Sequence, residues 1–222
     1  MKIIKNILTV LVPVSAVVVM TACSSDSSDV LVANSAIGEL DNSFNGVGYV
    51  TDDNVSGGSG DDEGRSLVID ADGKIVVTGS SLTDSLFDDM VIWRYNCDGT
   101  LDTTFNGTGY VTDDSSAGNN GNSDNGNSVV LDADGKIVVA GYSATFDMII
   151  WRYNSDGTLD TTFNGSGYVT HHNAAGGGTY DYGRAVTIDA NGKILVAGAI
   201  RNSSATYDMV IWRYNSDGTL DT

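Results

Sequence analysis

Basic residues are scarce: 11 Lys and Arg stand against 29 Asp and Glu, for a net charge of −18 over 222 residues. So acidic a surface repels nucleic-acid phosphates and anionic lipid headgroups, and nucleic acid is not expected as a partner. Histidine occurs only as His171 and His172, and cysteine only as Cys23 and Cys97. With so few imidazoles and thiols, no Ser/His/Asp or Cys/His set can be drawn. No Gly-rich phosphate loop leads from a strand into a helix; Gly57-Gly58 and Gly176-Gly177-Gly178 read as loop glycines. Helical periodicity is absent outside the N-terminal run. Cys97 stands where sister segments carry Ser155 and Ser216, so it reads as a small turn residue. No disulfide framework is expected.

The N-terminus is an address. Lys2 and Lys5 precede an apolar run from Ile7 to Met20, broken by Thr9, Pro13 and Ser15. The run is short for a membrane span and reads as a secretory signal. Met20-Thr21-Ala22-Cys23 resembles the lipobox of bacterial lipoproteins. That resemblance implies cleavage between Ala22 and Cys23, thioether lipidation of Cys23 and acylation of the new amine. Several acyl chains make a stable anchor, since each buried methylene contributes about 0.8 kcal/mol. Loss of Lys2 and Lys5 with the signal takes the net charge from −18 to −20. Residues 23–39, with Ser24-Ser25-Asp26-Ser27-Ser28-Asp29, lack bulk and read as a tether. The lipoprotein sorting rule of enteric bacteria retains Asp after the Cys at the inner membrane. Here Ser24 follows, which favours the outer membrane.

From Leu40 the chain copies itself. Leu40-Asp41-Asn42-Ser43-Phe44-Asn45-Gly46 recurs from Leu101 and again from Leu159, at spacings of 61 and 58 residues, and a fourth copy starts at Leu220. Trp93, Trp151 and Trp212 keep the same period. The copies run 40–100, 101–158 and 159–219, with 220–222 opening the fourth. Each has the grammar of four strands: one at Gly48–Thr51, one at Ser66–Asp70, one at Lys74–Gly79 and one at Asp89–Asn96. Asp-Gly turns at Gly73 and Gly135, and Asn-Gly at Gly192, join the middle pair through positive φ. A unit of this size cannot bury both of its sheet faces alone, and stacking of copies solves that. A linear solenoid would use shorter repeats. The fold class expected is all-β, with tandem four-stranded repeats forming part of a β-propeller.

DADGKIVVTG, MVIWRYNCDGTLDTTFNGTGYVT and their copies resemble the delta-60 repeat, a tandem bacterial repeat assigned to β-propellers. The resemblance spans residues 40–222 and implies architecture only; it brings no catalytic residues. Propellers close with about 4–8 blades. About three are present here, so a piece of a longer protein is expected.

Three constellations are candidates for chemistry. Asn96-x-Asp98-Gly99-x-x-Asp102 recurs with Asp156 and Asp160 and with Asp217 and Asp221. Oxygen ligands about a Gly turn suit calcium, but the spacing lacks the late Glu of the EF-hand. Turn capping by Asn and Asp accounts for the same residues. His171 and His172 stand where other copies carry Asp52-Asp53 and Asp113-Asp114, and they read as loop drift. Trp93-Arg94-Tyr95 and its copies place Trp and Tyr on one strand face and Arg on the other. They read as packing between units, with the Arg satisfying carbonyls or an Asp.

Two functional readings follow. One is a binding or scaffold module at the cell envelope, with a protein or glycan ligand on the variable segments Asp52 to Gly64, Asp113 to Gly126 and Thr170 to Gly183. The alternative is a propeller-type carbohydrate-active enzyme using His171, His172 or Glu63. No catalytic residue is assigned and an enzyme is not expected.

Overall fold

The computed structural model describes residues 38–53, 55–57, 60–84, 87–113, 123–143, 147–172, 174 and 180–222. The signal segment, the Ala22–Cys23 junction and most of the tether lie outside these residues, as do 114–122 and 175–179 of the variable segments.

Among the described residues there are eleven strands and no helix. Sheet I holds β1 (Asp62–Ile69), β2 (Ile75–Leu82), β3 (Asp88–Tyr95) and β4 (Tyr110–Asp113). Sheet II holds β5 (Asn125–Leu131), β6 (Ile137–Ser143), β7 (Asp147–Tyr153) and β8 (Tyr168–His171). Sheet III holds β9 (Asp181–Ile188), β10 (Ile194–Arg201) and β11 (Tyr207–Tyr214). All pairings are antiparallel and join chain neighbours in order. This is the all-β, propeller-type stack of repeats that the periodicity implies.

The sheets are out of phase with the sequence copies. The Gly-Tyr-Val-Thr strand of one copy completes the sheet of the copy before it. Trp93 pairs with Tyr110, and Trp151 with Tyr168. In the first copy the strand expected over Gly48–Thr51 is not formed. Its counterparts need a Trp strand as ladder partner, and among the described residues none precedes it.

The Asp-Gly turns also differ from expectation. Gly73, Gly135 and Gly192 have φ of 79°, 75° and 77°, but the preceding Asp72, Asp134 and Asn191 do not take positive φ. The connection is instead held by Asp70, whose Oδ1 accepts from the amides of Asp72 and Lys74 at 2.9 and 2.8 Å. Asp132 and Asp189 do the same. An Asx-capped loop replaces the two-residue hairpin.

The core lies between sheets rather than within one. The Trp strand alternates faces. Val76, Met90, Ile92 and Phe105 of sheet I pack on Val129, Val139, Ile149 and Trp151 of sheet II. The opposite face of sheet II, with Val138, Met148, Ile150 and Phe163, packs on Val196, Ile200 and Trp212 of sheet III. Segment 50–55 covers Trp93 through Val50 and Val55. Met209 and Ile211 are 77% and 60% exposed, whereas their counterparts Met148 and Ile150 are fully buried against the next sheet.

Glycine permits the close approach of the sheets. A Cβ on Gly126 would lie 2.3 Å from the Thr78 hydroxyl of sheet I, and one on Gly183 would lie 2.8 Å from the Gly141 carbonyl of sheet II. Cys97 is disulfide-bonded, which corrects the expectation of a chain without a disulfide.

Candidate functional site

The antiparallel order sends two kinds of connection to opposite ends of the sheets. The repeated turns, with Gly73, Asp98 and Asp102 and their copies, follow β1 and β3 at one end. The variable segments precede β1 and join β2 to β3 at the other end, with their counterparts in sheets II and III.

The turn end is built for rigidity. Asp102 is buried, and its Oδ2 accepts from Lys74 Nζ at 2.8 Å and from Arg94 Nε at 2.7 Å. Its Oδ1 accepts from the Thr104 hydroxyl at 2.6 Å. Arg94 also donates to the Ser155 carbonyl of the next sheet and lies 4.7 Å from the centre of the Phe105 ring. Asp160 repeats the arrangement with Lys136 at 2.6 Å, Arg152 at 2.7 Å and Thr162 at 2.6 Å. Asp221 takes Lys193 at 3.0 Å and Arg213 at 2.6 Å. Burial pushes the Asp102 and Asp160 carboxyls up. The hydrogen bonds from lysine and threonine, with the arginine charge, outweigh it and hold both well below the usual carboxylate range.

Asp98, Asp156 and Asp217 sit at the turn tips. Each accepts from the amide and hydroxyl of the Thr two residues on, at 2.6 to 3.0 Å. Those hydrogen bonds lower their carboxyls. Their carbonyls accept the amides of Asn45, Asn106 and Asn164 at 2.6 to 2.7 Å, which clips each turn to the Phe-Asn-Gly loop beside it. Both carboxylate oxygens of Asp102, Asp160 and Asp221 accept from cations or hydroxyls, and Oδ1 of each tip aspartate accepts from its Thr, as turn capping requires. Among the described residues no group of three or more His, Cys, Asp or Glu is placed to hold a metal.

A second repeated feature lies in the joints. Tyr95 Oη donates to Asp52 Oδ2 at 2.8 Å, and Tyr153 Oη to Asp113 Oδ2 at 3.2 Å. At the third joint His171 Nδ1 lies 3.1 Å from Tyr214 Oη. Burial raises the phenol of Tyr95, with Asp52 adding to it, and burial raises that of Tyr153, with Asp113 adding to it. His171 is thus the last residue of β8, paired with Met148, and not a loop residue. Glu63 is likewise in β1, where it pairs with Arg65 at 3.0 Å. His172 is in a loop, and its Nδ1 lies 2.6 Å from Asp147, whose hydrogen bond raises the imidazole. The acids and histidines of the enzyme reading therefore do not converge: each is engaged in a different local contact. A cleft of about 320 Å³ lined by Asp52, Asp62, Trp93 and Tyr95 marks the joint of segment 50–52 with sheet I.

The loop end carries a feature that does not repeat. Tyr182, the second residue of β9, meets Tyr142 of sheet II edge-on at 5.1 Å between ring centres. It lies parallel to Tyr180 at 6.3 Å and tilted against Tyr207 at 6.1 Å. Arg184 lies 5.7 Å from the Tyr182 ring centre, and Arg201 lies 5.1 Å from that of Tyr180. Burial, the nearby Tyr207 phenol and its hydrogen bond push Tyr182 up to about 12. Sequence reading missed this cluster because it followed what recurs. The signal was the reverse: Tyr182 stands where other copies have Glu63 and Asn125, and Tyr142 where they have Ser80 and Ala199.

No curated protein matches the chain. Among solved structures it is similar to a fucose lectin from Kordia zhangzhouensis, in complex with methyl-fucoside, at 16% identity and a TM-score of 0.38, over 66% of this chain and 90% of that one. Three segments of the chain, 71–105, 133–163 and 190–222, match the family model described as a domain of unknown function (DUF5122) beta-propeller, each running from an Asp-Gly or Asn-Gly turn into the Leu-Asp-Thr segment after the Trp strand.

Proposed function

We propose that this repeat domain is a non-catalytic binding module held at the bacterial cell envelope through Cys23, with recognition carried by the loop end of the sheets. One observation carries the reading. Everything that repeats at the sheet ends is spent on internal ion pairs and clips, whereas the segments that differ between copies gather at the opposite end. A rigid scaffold that presents variable loops is the usual arrangement for recognition.

Exchange of loop residues for Gly and Ser at constant length tests it. Replacing 115–122 and 173–179 in the full chain is expected to remove binding of a captured envelope component while leaving the melting temperature within a few degrees. The same exchange at the exposed turn residues Asp72, Asp134 and Asn191 is expected to leave binding unchanged. Binding that survives the first exchange and fails after the second would overturn the reading.

The anchor is tested separately. Cells fed an alkynyl fatty acid are expected to label the parent protein and Cys97→Ser, and not Cys23→Ser. A thioether at Cys23 and a disulfide between the two cysteines exclude each other, so the same labelling decides which of the two the Cys23 sulfur forms. An unlabelled parent removes the anchor from the proposal.

A further inference from the structure

We propose that the cluster of Tyr142, Tyr180, Tyr182 and Tyr207 with Arg184 and Arg201 is a binding site for an acidic carbohydrate, one whose rings carry carboxylate or sulfate groups. This rests on the reading of the loop end as the recognition surface and names the chemistry it recognises.

The charge inventory makes the argument. Nine basic residues fall among the described residues. Seven of them form ion pairs: Lys74 and Arg94 with Asp102, Lys136 and Arg152 with Asp160, Lys193 and Arg213 with Asp221, and Arg65 with Glu63. The two that form no ion pair among the described residues, Arg184 and Arg201, both stand over tyrosine rings of one cluster. In a chain of net charge −18, carboxylates are the commonest charged neighbours on offer, yet both arginines sit on rings instead. A guanidinium left over a ring keeps its planar fork of donors for a carboxylate or sulfate, which it meets with two parallel hydrogen bonds.

The rings supply the other half. Tyr142, Tyr180 and Tyr207 lie 5.1 to 6.3 Å from Tyr182, which gathers four apolar rings and their hydroxyls in one patch. Sugar rings present the same mixture, with C–H faces bounded by hydroxyl groups. The platform is open: Tyr207 is 55% exposed, Arg184 is exposed and Tyr142, Tyr180 and Tyr182 are half-buried. Repulsion by the acidic surface does not forbid such a ligand, because it is screened beyond a Debye length of about 8 Å at physiological salt. At contact range the two arginines decide. The same repulsion works against a polyanion that offers no ring faces.

The test is affinity electrophoresis of the purified full chain through gels containing polygalacturonate, fully methyl-esterified polygalacturonate, dextran sulfate, dextran or polyglutamate. Retardation is expected with polygalacturonate, dextran sulfate or both, the pattern naming the acidic group. None is expected with the ester, dextran or polyglutamate. The double variant Arg184→Gln, Arg201→Gln is expected to bind at least tenfold more weakly, and Tyr207→Ala severalfold more weakly, at unchanged melting temperature. Equal retardation by dextran or by polyglutamate overturns the proposal, and the latter outcome points instead to an acidic peptide partner. So does undiminished polygalacturonate binding by the double variant, or no retardation by either acidic polysaccharide. The loop exchange above still reads on any captured component, so a failure here is distinguishable from failure of the binding-module reading.

Discussion

Replacing Asp160 by Ala is expected to destabilise the domain by about 3–5 kcal/mol, because it strands the buried Arg152 and the half-buried Lys136 rather than removing a surface contact. Lys136 and Arg152 both end on Asp160 Oδ2, and Thr162 holds Oδ1. Arg152 is 8% exposed, and its second contact is a carbonyl of sheet III, so its charge has no route to water without opening the joint. For a domain of this size the loss corresponds to a fall in Tm of about 10 °C or more. The effect is also pH-dependent, with a defined sign. The folded carboxyl is held below its ordinary value, so the unfolded chain binds the proton more readily. Its stabilisation is fully present above the unfolded value, about pH 4, and is lost as pH falls below that toward the folded value. Asp102 adds a second contribution of the same sign. Melting followed from pH 7 down to pH 3 is expected to show a steep acid limb in the parent and a shallower one in Asp160→Ala. An Asp160→Ala protein that melts within about 2 °C of the parent at pH 7 would show that the ion-pair cluster is not what holds the joint.

That cluster shows where sequence reading reached and where it stopped. The Arg of Trp-Arg-Tyr had to face away from the Trp, since strand side chains alternate, and it meets an Asp and a carbonyl. The Lys of Asp-Gly-Lys was not recognised as the third member. Lys74 and Asp102 are 28 residues apart, and only the fold brings them to 2.8 Å. A strict period also conceals its own phase. Any window of about 60 residues describes the same repeat, so the sequence cannot say whether Tyr110 pairs backward to Trp93 or forward to the next strand. The ladder settles that: it is backward. The sequence pattern places His171 in a loop for a related reason. Its identity breaks the Asp pattern of Asp52 and Asp113, and a break was equated with irregular backbone, whereas Met148 pairs with it in register. The tyrosine cluster lay beyond reach because each member departs from the repeat alone, on strands or strand edges that meet only in three dimensions.

Substitution of Gly141 by Ala is expected to be among the most damaging methyl additions in the domain, at about 3 kcal/mol or more, or loss of soluble folded protein. A Cβ there would sit 1.7 Å from the Asn125 carbonyl oxygen and 2.9 Å from its carbon. Both are backbone atoms of the paired strand β5, so no rotamer change relieves the contact. The register shift between Gly126 and Ser128 lies directly opposite, and it is this bulge that turns the Asn125 carbonyl toward Gly141. Gly79 and Gly198 stand in the same relation to Glu63 and Tyr182, at 1.7 and 1.9 Å. Gly135→Ala is the control. Gly135 has φ of +75°, but a Cβ there would meet nothing within 4 Å. Its cost is therefore confined to left-handed backbone strain, about 1–2 kcal/mol. Chemical denaturation of the two variants separates clash from strain. If Gly141→Ala unfolds no more easily than Gly135→Ala, the bulged strand yields to a methyl group, and the tight seating of β5 on β6 is not what aligns each sheet for the next.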